Sequence, residues 1–171
     1  MKSIGLISDT HGYQGEDVVQ QLEDVDEIWH VGDVGNIPTL HFYSDLGKDL
    51  RVVWGNIDDH DVRRACQKHV LFELEGVRVL MIHIGGYPGR YSREAYHLLK
   101  SNPCDLFISG HSHILKVIRD KTLNLLHMNP GACGIKGLHK VRTMLKFDLE
   151  KGTIKNVRVI ELGRRGKSYL T

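Results

Sequence analysis

No apolar run in this 171-residue sequence is long enough to span a membrane. The segment Met1–Gly12 turns polar after about five apolar residues, so neither a secretory leader nor an anchor is expected there. Cysteine is scarce: Cys66, Cys104 and Cys133 are an odd, widely spaced set without a CxxC pair. That argues against a disulfide framework and against a thiolate zinc site, and makes a reducing cytoplasm the expected location. Charge of one sign is also missing. The net charge is +2, with 26% charged and 41% hydrophobic residues, which predicts no strong attraction to membranes and no dedicated nucleic-acid surface. There is no internal repeat, no low-complexity stretch and no linker. The length suits one domain, expected over 1–163, with Arg164, Arg165 and Lys167 in a solvated basic tail over 164–171.

What is present is a series of short apolar runs separated by turn and helix signals. Strands are expected at Ser3–Ser8, Glu27–Val31 and Arg51–Trp54, with helices at Glu16–Glu23, Ile37–Leu46 and Val62–Lys68 between and after them. Val70–Leu74 and Val77–Ile82 flank Glu75-Gly76, a hairpin signal. A helix at Arg93–Lys100 precedes a strand at Leu106–Ser109. The remainder reads as strands at Leu115–Arg119, Leu123–His127, Arg142–Asp148 and Thr153–Glu161, mostly antiparallel. The expected class is α/β, with two sheets packed face to face and helices outside.

Five of the apolar runs stop on residues that bind metals well: Asp9 and His11; Asp33; Asn56; His83; His111 and His113. Strand ends of an open α/β sheet converge on one crevice, so these seven side chains are expected around one point, enough for two ions. Asp9 and His11 share a face of an extended segment, as do His111 and His113. Carboxylates, imidazoles and one carboxamide suit Mn²⁺, Fe²⁺, Zn²⁺ or Ni²⁺, with Mn²⁺ the first expectation. Two divalent ions beside two carboxylates leave a positive site that attracts phosphate and acidifies water.

The blocks SDTHG, GD, GN, H and GHSH, in that order, resemble the calcineurin-like metallophosphoesterase superfamily, and within it the YfcE-type phosphodiesterases. Asn129-Pro130-Gly131 also occurs in that branch. The resemblance implies a β-sandwich flanked by helices. It implies one ion on Asp9, His11 and His113, another on Asn56, His83 and His111, and Asp33 bridging both. A metal-bridging hydroxide would then attack a phosphate ester, with Asp33, Asn56, Asp58 and His83 at the reacting centre.

Two positions depart from the family pattern. Many members carry GNH, where this chain has Gly55-Asn56-Ile57-Asp58; Ile57 supplies no proton, which leaves Asp58 and His60 as the nearest candidate donors to the leaving group. Ile84 separates His83 from Gly85, where the family often has His-Gly. The stretch Gly85–Tyr91 reads as a flexible loop at the substrate rim, with Arg90 placed to pair with phosphate and Tyr87 or Tyr91 to stack. Asn129 borders the same pocket, and His127 or His139 beside it could reach substrate. The expected substrate is a small phosphodiester. Two rivals share the fold: a protein-binding scaffold like the retromer subunit, and a nuclease. A homo-oligomer is compatible with the sequence.

Overall fold

The computed structural model describes residues 1–166. Its strands and helices follow in the order β1 (Lys2–Ile7), α1 (Glu16–Leu22), β2 (Glu27–His30), α2 (Ile37–Ser44), β3 (Asp49–Val52), α3 (His60–Ala65), β4 (His69–Leu74), β5 (Val77–Ile82), β6 (Gly86–Tyr87), β7 (Arg90–Tyr91), α4 (Arg93–Ser101), β8 (Leu106–Ile108), β9 (Lys116–Asp120), β10 (Leu125–Asn129), β11 (Val141–Glu150) and β12 (Thr153–Arg164). Two five-stranded sheets form, ordered β12-β11-β1-β2-β3 and β4-β5-β8-β10-β9.

The period-two pattern of the strands decides what lies between the sheets. Ile4 and Leu6 of β1, Val77, Val79 and Met81 of β5, and Leu145, Phe147 and Leu149 of β11 all point into one buried layer. Trp29 sits at its centre, edge-on to Phe72 and Phe147. The alternate residues face outward and are covered by helices. Val18 and Leu22 of α1 and Tyr43 of α2 pack on Ile28 and Met144, while Ala95 and Leu99 of α4 pack on Leu80, Ile82 and Phe107. Burial on both faces is why β1, β2 and β8 read as continuous apolar runs rather than alternating ones. The expected sandwich with outer helices is the observed one.

Local chemistry fixes the joints. Asn36 caps α2 by accepting from the Thr39 N–H at 3.0 Å, and Ser92 caps α4 by accepting from Ala95. Glu75 and Gly76 both take positive φ, the conformation of a tight two-residue hairpin turn. Asp59 caps α3 and starts it at His60, two residues before the expected Val62.

The strands after Leu115 pair mostly antiparallel, as expected. The second sheet as a whole is mixed: β5, β8 and β10 run parallel, because α4 carries the chain back across the sheet between β5 and β8. Two expectations need correction. Residues 86–91 are not a free loop but a two-stranded ribbon, β6 against β7, turning at Pro88-Gly89. The basic stretch does not begin as a loose tail, since Arg164 pairs with Val141 in β12 and the Arg165 N–H donates to the Lys140 carbonyl. Lys167 lies outside the described residues. Among the described residues, no helix is long and apolar enough to cross a membrane.

Candidate metal centre

Strand direction explains where the site falls. β1, β2 and β3 are mutually parallel in one sheet, and β5, β8 and β10 in the other. The loops after β1, β2, β3, β5 and β8 carry the candidate ligands and meet at one end of the sandwich. Main-chain bonds hold the first two loops in register: Asp9 N–H donates to Gly32 O and His11 N–H to Asp33 O, both at 3.0 Å.

The backbone at these loops is unusual. Asp9, His11, Asp33, His111 and His113 all have φ between +48 and +64. Left-handed conformations at non-glycine residues cost about 1 kcal/mol or more each and persist where the surroundings over-determine them. Here each one turns a strand end sharply enough to aim its side chain into the crevice.

Two triads result. Asp9, His11 and His113 bring one ligand atom each within 4.8 Å of one another, and so do Asp33, His83 and His111. Asp33 lies between them. Its Oδ2 is 3.5 Å from His11 Nε2, in the first triad, and its Oδ1 is 3.2 Å from His83 Nε2, in the second. His113 Nε2 approaches Asp9 Oδ1 to 3.0 Å. His83 Nδ1–H donates to Val31 O at 2.7 Å, so the lone pair of His83 is on Nε2, facing the crevice.

The donor set fits metal ions. Asp9 Oδ1, His11 Nε2 and His83 Nε2 are buried yet make no hydrogen bond. Orphaned buried polar atoms are costly, and these three converge on the space that ions would fill. Burial alone would raise the Asp9 carboxyl, but His11, His113, His83 and Ser8 hold it well below the usual carboxylate range. Burial likewise opposes charge on His83, yet Asp33 and Asp9 together pull its imidazole upward. The site is thus built to keep Asp9 and Asp33 ionised and to balance them with positive charge.

Asn56 is exposed at the rim of a cleft of about 280 Å³ that it shares with His83, Trp54 and Arg63. Its neighbours bracket Asp33: Ile57 N–H donates to Asp33 Oδ1 at 3.1 Å, and a Cβ on Gly55 would lie 2.1 Å from that same oxygen. Only glycine allows this approach. Arg90 lines a second cleft, about 250 Å³, with His111, Tyr87 and Tyr91.

Two expected site residues are tied closely to the backbone of their loops. Asp58 is buried, and its two carboxylate oxygens accept from the Gly35 and Gly55 N–H groups at 2.7 Å each. It ties the Asn56 loop to the Asp33 loop, with each oxygen already accepting from a main-chain N–H. Asn129 is likewise tied: its amide donates to Gly110 O and Ser112 Oγ, and its carbonyl accepts from Gly131. It shapes the loop carrying His111 and lines the second cleft beside Arg90, as expected of a residue bordering the pocket. His60 stands exposed at the start of α3.

Other residues support the ligands. Ser8 donates to Asp9 Oδ2. His30 accepts from Gly32 at Nδ1 and so donates from Nε2 to Thr10 Oγ1, joining the loops of Asp9 and Asp33. Burial pushes its imidazole down to about 4, and it stays neutral in that role. Arg63 stacks on Trp54 and donates to the carbonyls of Asn56 and Asp58. Lys116 Nζ sits 3.7 Å from the Tyr87 ring centre, on the wall of the second cleft. The signal for Ser8 and Thr10 was their place within the ligand block; for Arg63 and Lys116 there was none.

Comparison with known proteins agrees with this geometry. Residues 1–152 match the calcineurin-like phosphoesterase superfamily domain. The chain therefore belongs to that superfamily, a family of metal-dependent phosphoester hydrolases. A protein of Methanocaldococcus jannaschii described as a probable metallophosphoesterase is 33% identical over 156 residues, covering 85% of this chain and 78% of the relative. One from Mycoplasma pneumoniae is 28% identical over 163 residues, covering 92% and 96%. Among solved structures, an archaeal phosphodiesterase superposes with a TM-score of 0.74 at 22% identity, covering 93% of this chain and 99% of the other. Vps29 of Entamoeba histolytica, in complex with zinc, superposes at 0.70 with 14% identity, covering 94% and 99%. The two structural likenesses show a shared fold alone.

Proposed function

We propose that this chain is a two-metal phosphoesterase acting on small phosphodiesters. The observation that carries the reading is Asp33, whose Oδ1 faces His83 within its own triad while its Oδ2 faces His11 of the other. Asp9, His11 and His113 would hold one ion, and Asn56, His83 and His111 the other. Bound there, divalent ions supply an acidified water as nucleophile and neutralise charge on the phosphoryl oxygens. The chain itself keeps two carboxylates ionised, aims imidazole lone pairs into the crevice, and excludes bulk water from Asp9 and His83. Mn²⁺ is the ion proposed first, with Zn²⁺, Fe²⁺ and Ni²⁺ as competitors that the same donors accept.

The diester preference draws on the surroundings. Ile57 offers no proton and Asp58 is committed to backbone, so good leaving groups are favoured. Tyr87 and Tyr91 line the second cleft, where they suit the organic far substituent of a diester. The three cysteines are free thiols, which accords with the cytoplasm. The scaffold reading draws only on the shared Vps29 fold, and the completeness of both triads weighs against it.

The test is to measure bound metal in the purified protein, then turnover of bis(p-nitrophenyl) phosphate and of p-nitrophenyl phosphate, with Mn²⁺ and with chelator. Metal-dependent turnover favouring the diester is expected. No metal-dependent turnover of either ester with any of the four ions would overturn the enzyme reading. A monoester preference would overturn only the substrate assignment.

A further inference from the structure

His139 lies in the connection between β10 and β11, outside the candidate ligand set. Its ring stands at 72° to that of His113, with centroids 5.1 Å apart. Its Nδ1 is 3.1 Å from Nδ1 of His113, and its Nε2 is 3.0 Å from the carbonyl oxygen of Gly134. A carbonyl oxygen only accepts, so Nε2 of His139 carries a hydrogen. In a neutral imidazole the other nitrogen is then an acceptor, and the Nδ1 of His113 facing it must donate. The lone pair of His113 is thereby placed on Nε2, the atom that faces Asp9 within the first triad.

We infer that His139 is a positioning residue that sets the tautomer and ring plane of His113, and through them the metal affinity of the Asp9–His11–His113 triad. The inference rests on the two-metal reading above. Two features build the pair into the fold. Gly137 has φ +126, and a Cβ there would lie 2.4 Å from His113 Nδ1 and 3.1 Å from His139 Nδ1, so the chain passes against both rings only as glycine. Arg165 donates from Nε to the His139 carbonyl at 3.1 Å and from its N–H to the Lys140 carbonyl, pinning the segment to the end of β12. In the other triad the matching task falls to the main chain, where His83 Nδ1–H donates to Val31 O. His83 is therefore oriented by backbone and His113 by a replaceable side chain.

Two variants separate orientation from packing. His139→Gln keeps one acceptor and one donor, whereas His139→Phe keeps a ring and loses both. Metal-free protein is titrated with Mn²⁺ in competition with a chromophoric chelator. For His139→Phe, one of the two ions is expected to bind roughly 10–100-fold more weakly, the usual cost of removing such an outer partner. The other ion should stay within about threefold, and His139→Gln should recover most of the loss. In ¹⁵N NMR of the metal-free wild type at mildly alkaline pH, His113 should be protonated at Nδ1, with a coupling across the hydrogen bond to His139 Nδ1. Unchanged affinities in His139→Phe, or a His113 protonated at Nε2 alone, would overturn the inference. A wild type that binds no metal would overturn the two-metal reading instead, and the coupling would still decide whether His139 sets the tautomer.

Discussion

Asp33 is the residue on which both triads depend, and that makes its substitution informative. Its Oδ1 faces His83 of its own triad and its Oδ2 faces His11 of the other, so Asp33→Asn removes charge from both at once. His113→Ala removes one imidazole from one triad. Asp33→Asn should therefore lower kcat/KM by more than ~100-fold, beyond the range for outer partners, and by more than His113→Ala does. Equal or reversed losses in steady-state kinetics would remove Asp33 from its bridging place. Asp58 is tested differently, because its oxygens hold the Gly35 and Gly55 N–H groups. Asp58→Ala should destabilise the fold by about 1–3 kcal/mol in urea unfolding, the cost of unpaired buried donors, and should weaken metal binding. It should leave the pH profile of the residual activity unchanged in shape; a lost protonation limb would restore Asp58 as the proton donor.

The loops that end β1, β2, β3, β5 and β8 were legible because each follows an apolar run that reads as a strand; four of these are buried, and β3 is a half-exposed strand at the sheet edge. A polar metal-binding residue at the end of such a run is conspicuous, and parallel strands bring their ends together. The partners that hold those loops were not legible. Asp58 reaches Gly35 across 23 residues, and His139 reaches His113 across 26, through contacts that exist only after the sheets have formed. The parallel course of β8 and β10 was hidden for the same reason, since a short apolar run does not declare its direction. Gly55 shows how tight the arrangement is: Gly55→Ala would place a methyl 2.1 Å from Asp33 Oδ1. The loop after β3 must then move, and the variant should lose bound metal while keeping its far-UV circular dichroism; full metal content in Gly55→Ala would show that the loop is not so constrained.

The whole molecule carries a pH dependence set by histidines it buries neutral. Burial pushes His30 down to about 4, and burial together with nearby Lys116 does the same to His127. Unfolded, each would bind a proton near 6.5, so between these values the unfolded chain holds more protons than the folded one. Their contribution to stability is present above about pH 6.5 and is lost as pH falls toward 4, by up to ~3 kcal/mol per group. His127 makes no hydrogen bond at either nitrogen and lies against Phe107, so His127→Phe should flatten this dependence and raise the urea midpoint at pH 5. An unchanged slope would place the proton-linked loss elsewhere. In the proposed two-metal site, one carboxylate would join two ions at the meeting point of two sheets. The most direct measurement is an anomalous difference map from crystals soaked in Mn²⁺. Two peaks roughly 3.5–4 Å apart, with Asp33 between them, are the predicted result. A single peak, or peaks away from Asp33, would contradict it.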